Sequence, residues 1–171
     1  MKTVQDISKA GLFFLIVATT FQQVSYAQDF AREKKSSKEA MTRNRVESKD
    51  FVFEAQSVSP MGGGMRQLTS SYDLIVSKDT IISNLPYFGR AYTAPVNPSE
   101  GGINFTSTNF EYTVKGKRKG GWDVLIKPKD VADVEQLALT IFENGSASLQ
   151  VTSNTRQPIS FNGYIKDRKQ K

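Results

Sequence analysis

The stretch Phe110-Glu111-Tyr112-Thr113-Val114-Lys115-Gly116-Lys117-Arg118-Lys119-Gly120-Gly121-Trp122-Asp123-Val124-Leu125-Ile126-Lys127 decides the fold. Its first six residues alternate apolar with polar, the two-residue period of a strand with one dry face. Its last six return with Trp122, Val124 and Ile126 on one face. The glycines and cations between them read as a hairpin tip. Two strands joined this way pair antiparallel.

The same period recurs on both sides. Phe51, Phe53 and Ala55 share one face of a run that Pro60 ends. Tyr72, Leu74 and Val76 share a face of Ser71–Val76, and Ser77–Thr80 is turn-like. Ile81–Leu85 is extended as far as Pro86, which cannot donate a ladder hydrogen bond. Thr93–Gly102 is a long loop of turn residues, and Ile103–Phe105 is a short strand. Pro128–Val134 is a connector with room for one helical turn. Leu137–Phe142 leads into Asn144-Gly145, a strong hairpin signal, and Ala147–Val151 pairs back. Thr152–Gln157 turns, and Pro158–Ile165 closes the domain. The expected fold is all-β. It is a single antiparallel meander of eight or nine short strands, curled into a barrel or a strongly bent sheet. A charged N-terminal helix over residues 28–49 is placed to plug one end.

Composition narrows the chemistry. The chain has 171 residues, 38% of them hydrophobic, and a net charge of +6. It has no cysteine and no histidine. Thiolate nucleophiles, imidazole–zinc sites and Ser-His-Asp triads are therefore excluded. No metal or cofactor motif is present, and the expectation is a protein that is not an enzyme. Pairs such as Asp130 with Asp133, or Glu143 with Asp123, have the residue types of a glycosidase dyad. Nothing in the sequence fixes their separation, and scattered carboxylates on turns are the ordinary case.

Residues 1–27 read as a secretory signal peptide. Lys2 and Lys9 start it, an apolar run from Ala10 to Phe21 follows, and Ser25-Tyr26-Ala27 sets cleavage between Ala27 and Gln28. The apolar run is shorter than the ~20 residues of a membrane span. The leader carries Lys2, Lys9 and Asp6, so the mature chain keeps +5 of its +6. The expected product is periplasmic or extracellular, with no membrane span after cleavage. The domain covers residues 50–165 and ends in a charged tail, 166–171.

Three features invite a functional reading. Leu85-Pro86-Tyr87-Phe88-Gly89-Arg90-Ala91-Tyr92 sets Arg90 among Tyr87, Phe88 and Tyr92. A guanidinium stacked on a ring still offers its fork to a carboxylate or phosphate. That suits an anionic or glycan ligand in a barrel mouth, with Trp122 as a further aromatic. The plainer reading is that these side chains close the barrel. Lys115, Lys117, Arg118 and Lys119 form a basic tip that reads as a solvated turn with a charge-protected edge. No nucleic-acid partner is expected from it. Met61-Gly62-Gly63-Gly64-Met65 lacks the Lys-Ser/Thr and helix of a phosphate loop and reads as a mobile loop.

Several of these elements carry a resemblance. Asp50–Ala55, Leu85–Tyr92, Gly102–Phe105, Ile141–Gly145 and Arg156–Gly163 resemble the domain of unknown function 4251 family, exported proteins of Bacteroides-type bacteria. The resemblance implies export and a single domain, and brings no activity, cofactor or catalytic residue. In such a host Asp79-Thr80-Ile81 fits an O-glycosylation sequence with Thr80 as acceptor. The function expected is a non-catalytic small-ligand or envelope-associated binding module. The alternative is a structural or partner-binding periplasmic protein without a small-molecule site. A carboxylate-only glycan hydrolase ranks last.

Overall fold

The structure, a computed structural model, describes residues 33–92 and 101–168. The proposed leader, the start of the lead-in, most of the Thr93–Gly102 loop and the last residues of the tail lie outside them. The chain divides into two compact units, residues 1–38 and 39–171. Of the first unit, the described residues 33–38 are helical. The helix α1 (33–48) continues into the second unit, which also holds nine strands. These are β1 (Phe51–Pro60), β2 (Arg66–Val76), β3 (Ile81–Leu85), β4 (Ile103–Ser107), β5 (Phe110–Gly116), β6 (Trp122–Pro128), β7 (Val134–Ile141), β8 (Ser146–Ser153) and β9 (Ile159–Lys166). Among the described residues no helix is long and apolar enough to cross a membrane.

The strands form one antiparallel sheet in the order β4-β3-β2-β1-β9-β8-β7-β6-β5. Consecutive strands pair throughout, with one exception. β4 pairs with β3, β5 pairs with β6, and only Thr108 and Asn109 separate β4 from β5. The two edges of the sheet are thus successive lengths of one bent run of chain. An open sheet would hold its outer strands tens of ångströms apart at about 4.8 Å per strand. A two-residue link forbids that, so the sheet curls into a nearly closed barrel, with β1–β9 pairing opposite the link.

Asp130, just past β6, clasps the link. Its carboxylate accepts hydrogen bonds from the Ser107 hydroxyl, from the Thr108 amide at 2.9 Å and from the Asn109 amide at 3.1 Å. The Lys129 amide donates to the Asn109 carbonyl at 2.8 Å. These bonds favour the ionised form, the Ser107 hydroxyl most, and pull the Asp130 pKa down from 3.8 to about 2.

Alternation fills the interior. Phe51, Phe53, Leu74, Ile81, Ile126, Leu139, Leu149 and Phe161 are fully buried. Each contributes roughly 1.5–3 kcal/mol over an exposed position. β1 and β9 approach closely where β1 carries a bulge between Ala55 and Ser57. Gly163 sits opposite Ala55, and a methyl there would lie inside contact distance of the Glu54 carbonyl oxygen. Only glycine lets the two backbones meet.

The turns divide between two ends of the barrel. At one end are the β2–β3, β5–β6 and β7–β8 turns, the start of β1 and the end of β9. The part of α1 within this unit meets that end. Val46 is buried in the core, its carbonyl accepts from the Tyr112 hydroxyl at 2.9 Å, and the Thr42 hydroxyl donates to the Glu143 carbonyl at 3.3 Å. Burial raises the Tyr112 phenol pKa well above its ordinary value. The helix stops in a Schellman turn: Asp50 N–H bonds to Arg45 O, Lys49 N–H to Val46 O, and Lys49 takes φ 54°. The tail's first residues are tied down. Lys166 pairs with Glu54, Asp167 meets the Arg45 fork at 2.6 and 2.7 Å, and Arg168 lies 3.2 Å from Asp50.

Three local expectations change. β2 begins at Arg66, five residues before Ser71, because Gln67 and Arg66 pair with Ser57 and Val58 beyond the β1 bulge. The 129–133 connector is bends with no helical turn, its backbone held by the Asp130 and Lys129 contacts. The Asn144-Gly145 hairpin is a three-residue turn with Gly145 alone at positive φ, 87°. Phe142 and Ser146 close it, N–H to carbonyl, at 2.9 Å.

Candidate functional site

At the other end lie the β1–β2, β6–β7 and β8–β9 connections and residues 86–92 and 101–102 that flank β3 and β4. β3 stops at Leu85, and Pro86 turns the chain off the sheet. The Tyr87 ring then folds back over its own turn. Its hydroxyl lies 2.7 Å from the Arg90 carbonyl and 3.1 Å from the Gln157 carbonyl, sharing one proton between two acceptors. Position 89 is glycine because a β-carbon there would fall 2.7 Å from Tyr87 Cζ. Burial raises the Tyr87 phenol pKa. The segment then pairs with the β8–β9 connection. Gln157 N–H donates to Arg90 O at 3.0 Å, Ala91 bridges Arg156, and Tyr92 N–H donates to Thr155 O at 2.7 Å.

Arg156 is the cation at the centre of this construction. Its guanidinium stands 5.2 Å from the Tyr87 ring centroid, donates to the Gly102 carbonyl at 2.9 Å and lies 3.4 Å from the Asp133 carboxylate. Asp133 also accepts from the hydroxyls of Ser153, at 3.0 Å, and Thr155. Three connections are thereby tied to one side chain. Sequence reading placed this role on Arg90 and passed over Arg156, which stood in a predicted turn. The signal available was its place in the Arg156–Gly163 element.

Arg90 points elsewhere. With Arg66 and Phe88 it lines a cleft of about 380 Å³, whose other walls are Pro60, Gly62, Gly63, Gly89 and Gln157. The Arg66 guanidinium lies 5.7 Å from the Phe88 ring centroid. Phe88 is half exposed, and Met61, Met65 and Tyr92 are exposed nearby in the chain. Of the residues singled out from sequence, Tyr87, Phe88, Arg90 and Tyr92 share this end. Phe88 and Arg90 face the cleft, while Tyr87 builds the turn that carries them. Trp122 is not with them: it is buried in the core at the start of β6, by the β5–β6 turn.

The other candidates have their own surroundings. Lys117 pairs with Asp123 at 3.2 Å at the β5–β6 tip, where Lys115, Arg118 and Lys119 are exposed. Thr80 closes the β2–β3 turn, its carbonyl accepting from the Ser77 amide at 2.9 Å and hydroxyl at 2.7 Å. Asp130 and Asp133 are each engaged as described. Among the described residues no three Asp, Glu, His or Cys side chains gather as a metal would need.

A solved structure of a DUF4251 family protein from Bacteroides eggerthii DSM 20697 superposes with a TM-score of 0.57. The two are 14% identical over 77% of this chain and 88% of that one, a likeness that shows the fold alone. No curated protein matches. The pattern of the family described as Domain of unknown function (DUF4251) matches residues 33–165, most of the chain, and the chain belongs to that family.

Proposed function

We propose that this domain is a non-catalytic binding module whose ligand sits in the Arg66–Phe88–Arg90 cleft. The observation that carries the reading is the cleft's construction. A ring and two cations stand around about 380 Å³ of space, near the lower end of ligand-site volumes at ~300–1,000 Å³. The Arg90 backbone is pinned through its carbonyl by Tyr87 and Gln157, so the wall is formed before any ligand arrives. The engagement of Asp130 and Asp133 in backbone and ion-pair contacts, with the lack of His and Cys, supports binding over hydrolysis. The apolar run and cleavage signature of residues 1–27 support export. Mature protein from its own host would then begin at Gln28, which intact mass tests.

A second reading has its own support. Met61, Met65 and Tyr92 are 70%, 63% and 68% exposed, large apolar side chains that an envelope protein partner would cover. Denaturing extraction of protein purified from the host separates the two. A small molecule recovered with the wild type and lost from Phe88→Ala supports the cleft. A co-purifying protein, with no small molecule, supports the partner surface.

A further inference from the structure

We propose that the cleft is an oxyanion site, in which Arg66 and Arg90 hold the carboxylate or phosphate of a ligand of monosaccharide size. The proposal rests on reading the cleft as a ligand site, and adds the chemistry of that ligand. Arg66 was no part of the sequence-based expectation, in which Arg90 was the cation among Tyr87, Phe88, Tyr92 and Trp122.

The first argument is charge. None of the eight residues lining the cleft is acidic, and two are arginines. Guanidinium cannot shed its proton at any physiological pH, so both charges stay. Four of the other five described arginines have a carboxylate partner, Arg118 at the exposed β5–β6 tip being the exception. Arg43 pairs with Glu39, Arg45 with Asp167, Arg156 with Asp133 and Arg168 with Asp50. Among the described residues neither Arg66 nor Arg90 has a carboxylate partner. Two like charges brought to one concavity raise the local potential and draw in a small anion.

The second argument is placement. Arg66 is the first residue of β2, and its guanidinium lies against the Phe88 ring, which restricts its orientation. Arg90 leaves a backbone fixed by two hydrogen bonds. The Arg66 fork, held against the ring, loses less freedom on gripping an oxyanion than a free surface arginine does, and the fixed Arg90 backbone sets where its side chain starts. Gly62 and Gly63 line the cleft with no side chain to obstruct a ligand, and Gln157 lines it without charge. The volume admits one sugar ring bearing an acidic group.

The test uses the intact chain, ¹⁵N-labelled, titrated with D-glucuronate, D-glucose 6-phosphate and neutral D-glucose. Amide shifts at Gly62, Gly63, Phe88, Gly89 and Arg90 are expected with an anionic probe and not with glucose. The glucuronate arm reports a carboxylate source and the glucose 6-phosphate arm a phosphate source. Arg66→Gln and Arg90→Gln are each expected to weaken binding roughly tenfold, and the double variant to abolish it. Added salt should weaken it too. Unchanged melting temperatures would show that the variants fold. Shifts with glucose equal to those with the anions would overturn the oxyanion and leave the ligand cleft standing. Anion-induced shifts that survive in the double variant would overturn the arginine roles. A cleft that responds to none of the three probes overturns the oxyanion, and the binding reading with it if host-purified protein also yields no small molecule.

Discussion

The guanidinium of Arg156 stands 5.2 Å from the centre of the Tyr87 ring, and the two side chains between them lock one end of the barrel. Tyr87 fixes the turn that presents Phe88 and Arg90. Arg156 binds that turn to the β6–β7 connection through Asp133 and to the β4 approach through the Gly102 carbonyl. The candidate cleft is therefore held by a polar cluster outside it.

This assigns stability and binding to different arginines. Arg156→Ala leaves a carbonyl and a half-buried carboxylate without their cation and should cost about 2 kcal/mol. Arg156→Lys keeps the charge without the planar fork and should fall between. Arg90→Gln should stay within about 0.5 kcal/mol of wild type. Urea midpoints for the three variants check this. A collapse in Arg90→Gln with a tolerant Arg156→Ala would reverse the assignment.

A second prediction concerns Gly163. The alanine methyl would overlap the Glu54 carbonyl oxygen, in the middle of the β1–β9 pairing that joins the two halves of the sheet. The strands must part or the bulge must shift, at a cost of about 3 kcal/mol. Gly64→Ala is the control, since nothing lies within 4 Å of its β-carbon position. It should change stability by less than about 1 kcal/mol. Thermal melts followed by circular dichroism compare the two.

Local periodicity made the strands legible, because each buries one face wherever it pairs. The positions of β4 and β5 were not legible in that way. Sequential strands joined by a short link are expected to pair with each other, yet β4 and β5 pair outward to β3 and β6. That choice belongs to barrel closure, which no window of a few residues records. Arg156 was missed for the same reason: its partners Tyr87, Gly102 and Asp133 lie far from it along the chain. Phe88 and Arg90 were found because a ring and a cation crowded beside a proline and a glycine are conspicuous locally. Trp122 was conspicuous too, but the alternation that places Val124 and Ile126 inside also places Trp122 inside.

The helix tests how far one side chain can dock an element. Its inward stripe is Thr42 and Val46, four residues apart, and Met41 is 55% exposed. A threonine and one valine make a weak apolar signal, so the sequence of this helix shows no regular stripe. Val46→Ala should cost about 2 kcal/mol through the cavity left in the core. Met41→Ala should be neutral within about 0.5 kcal/mol. Hydrogen exchange of the helix amides should rise in the first variant alone.

The Asp130 clasp makes closure of the barrel sensitive to acid. Its pKa falls from 3.8 in an unstructured chain to about 2 when folded, chiefly through the Ser107 hydroxyl and then the Thr108 and Asn109 amides. A depressed folded pKa means the unfolded chain binds more protons between those values, so stability rises with pH across that window. The contribution is complete above about pH 5 and is lost as pH falls through about 2. Asp130→Asn cannot titrate and offers a weaker acceptor. The melting-temperature gap between wild type and this variant should be constant from neutral pH down to about 5, then narrow steadily toward pH 2. A gap that stays constant through that range would mean the carboxylate charge does not hold the β4–β5 link.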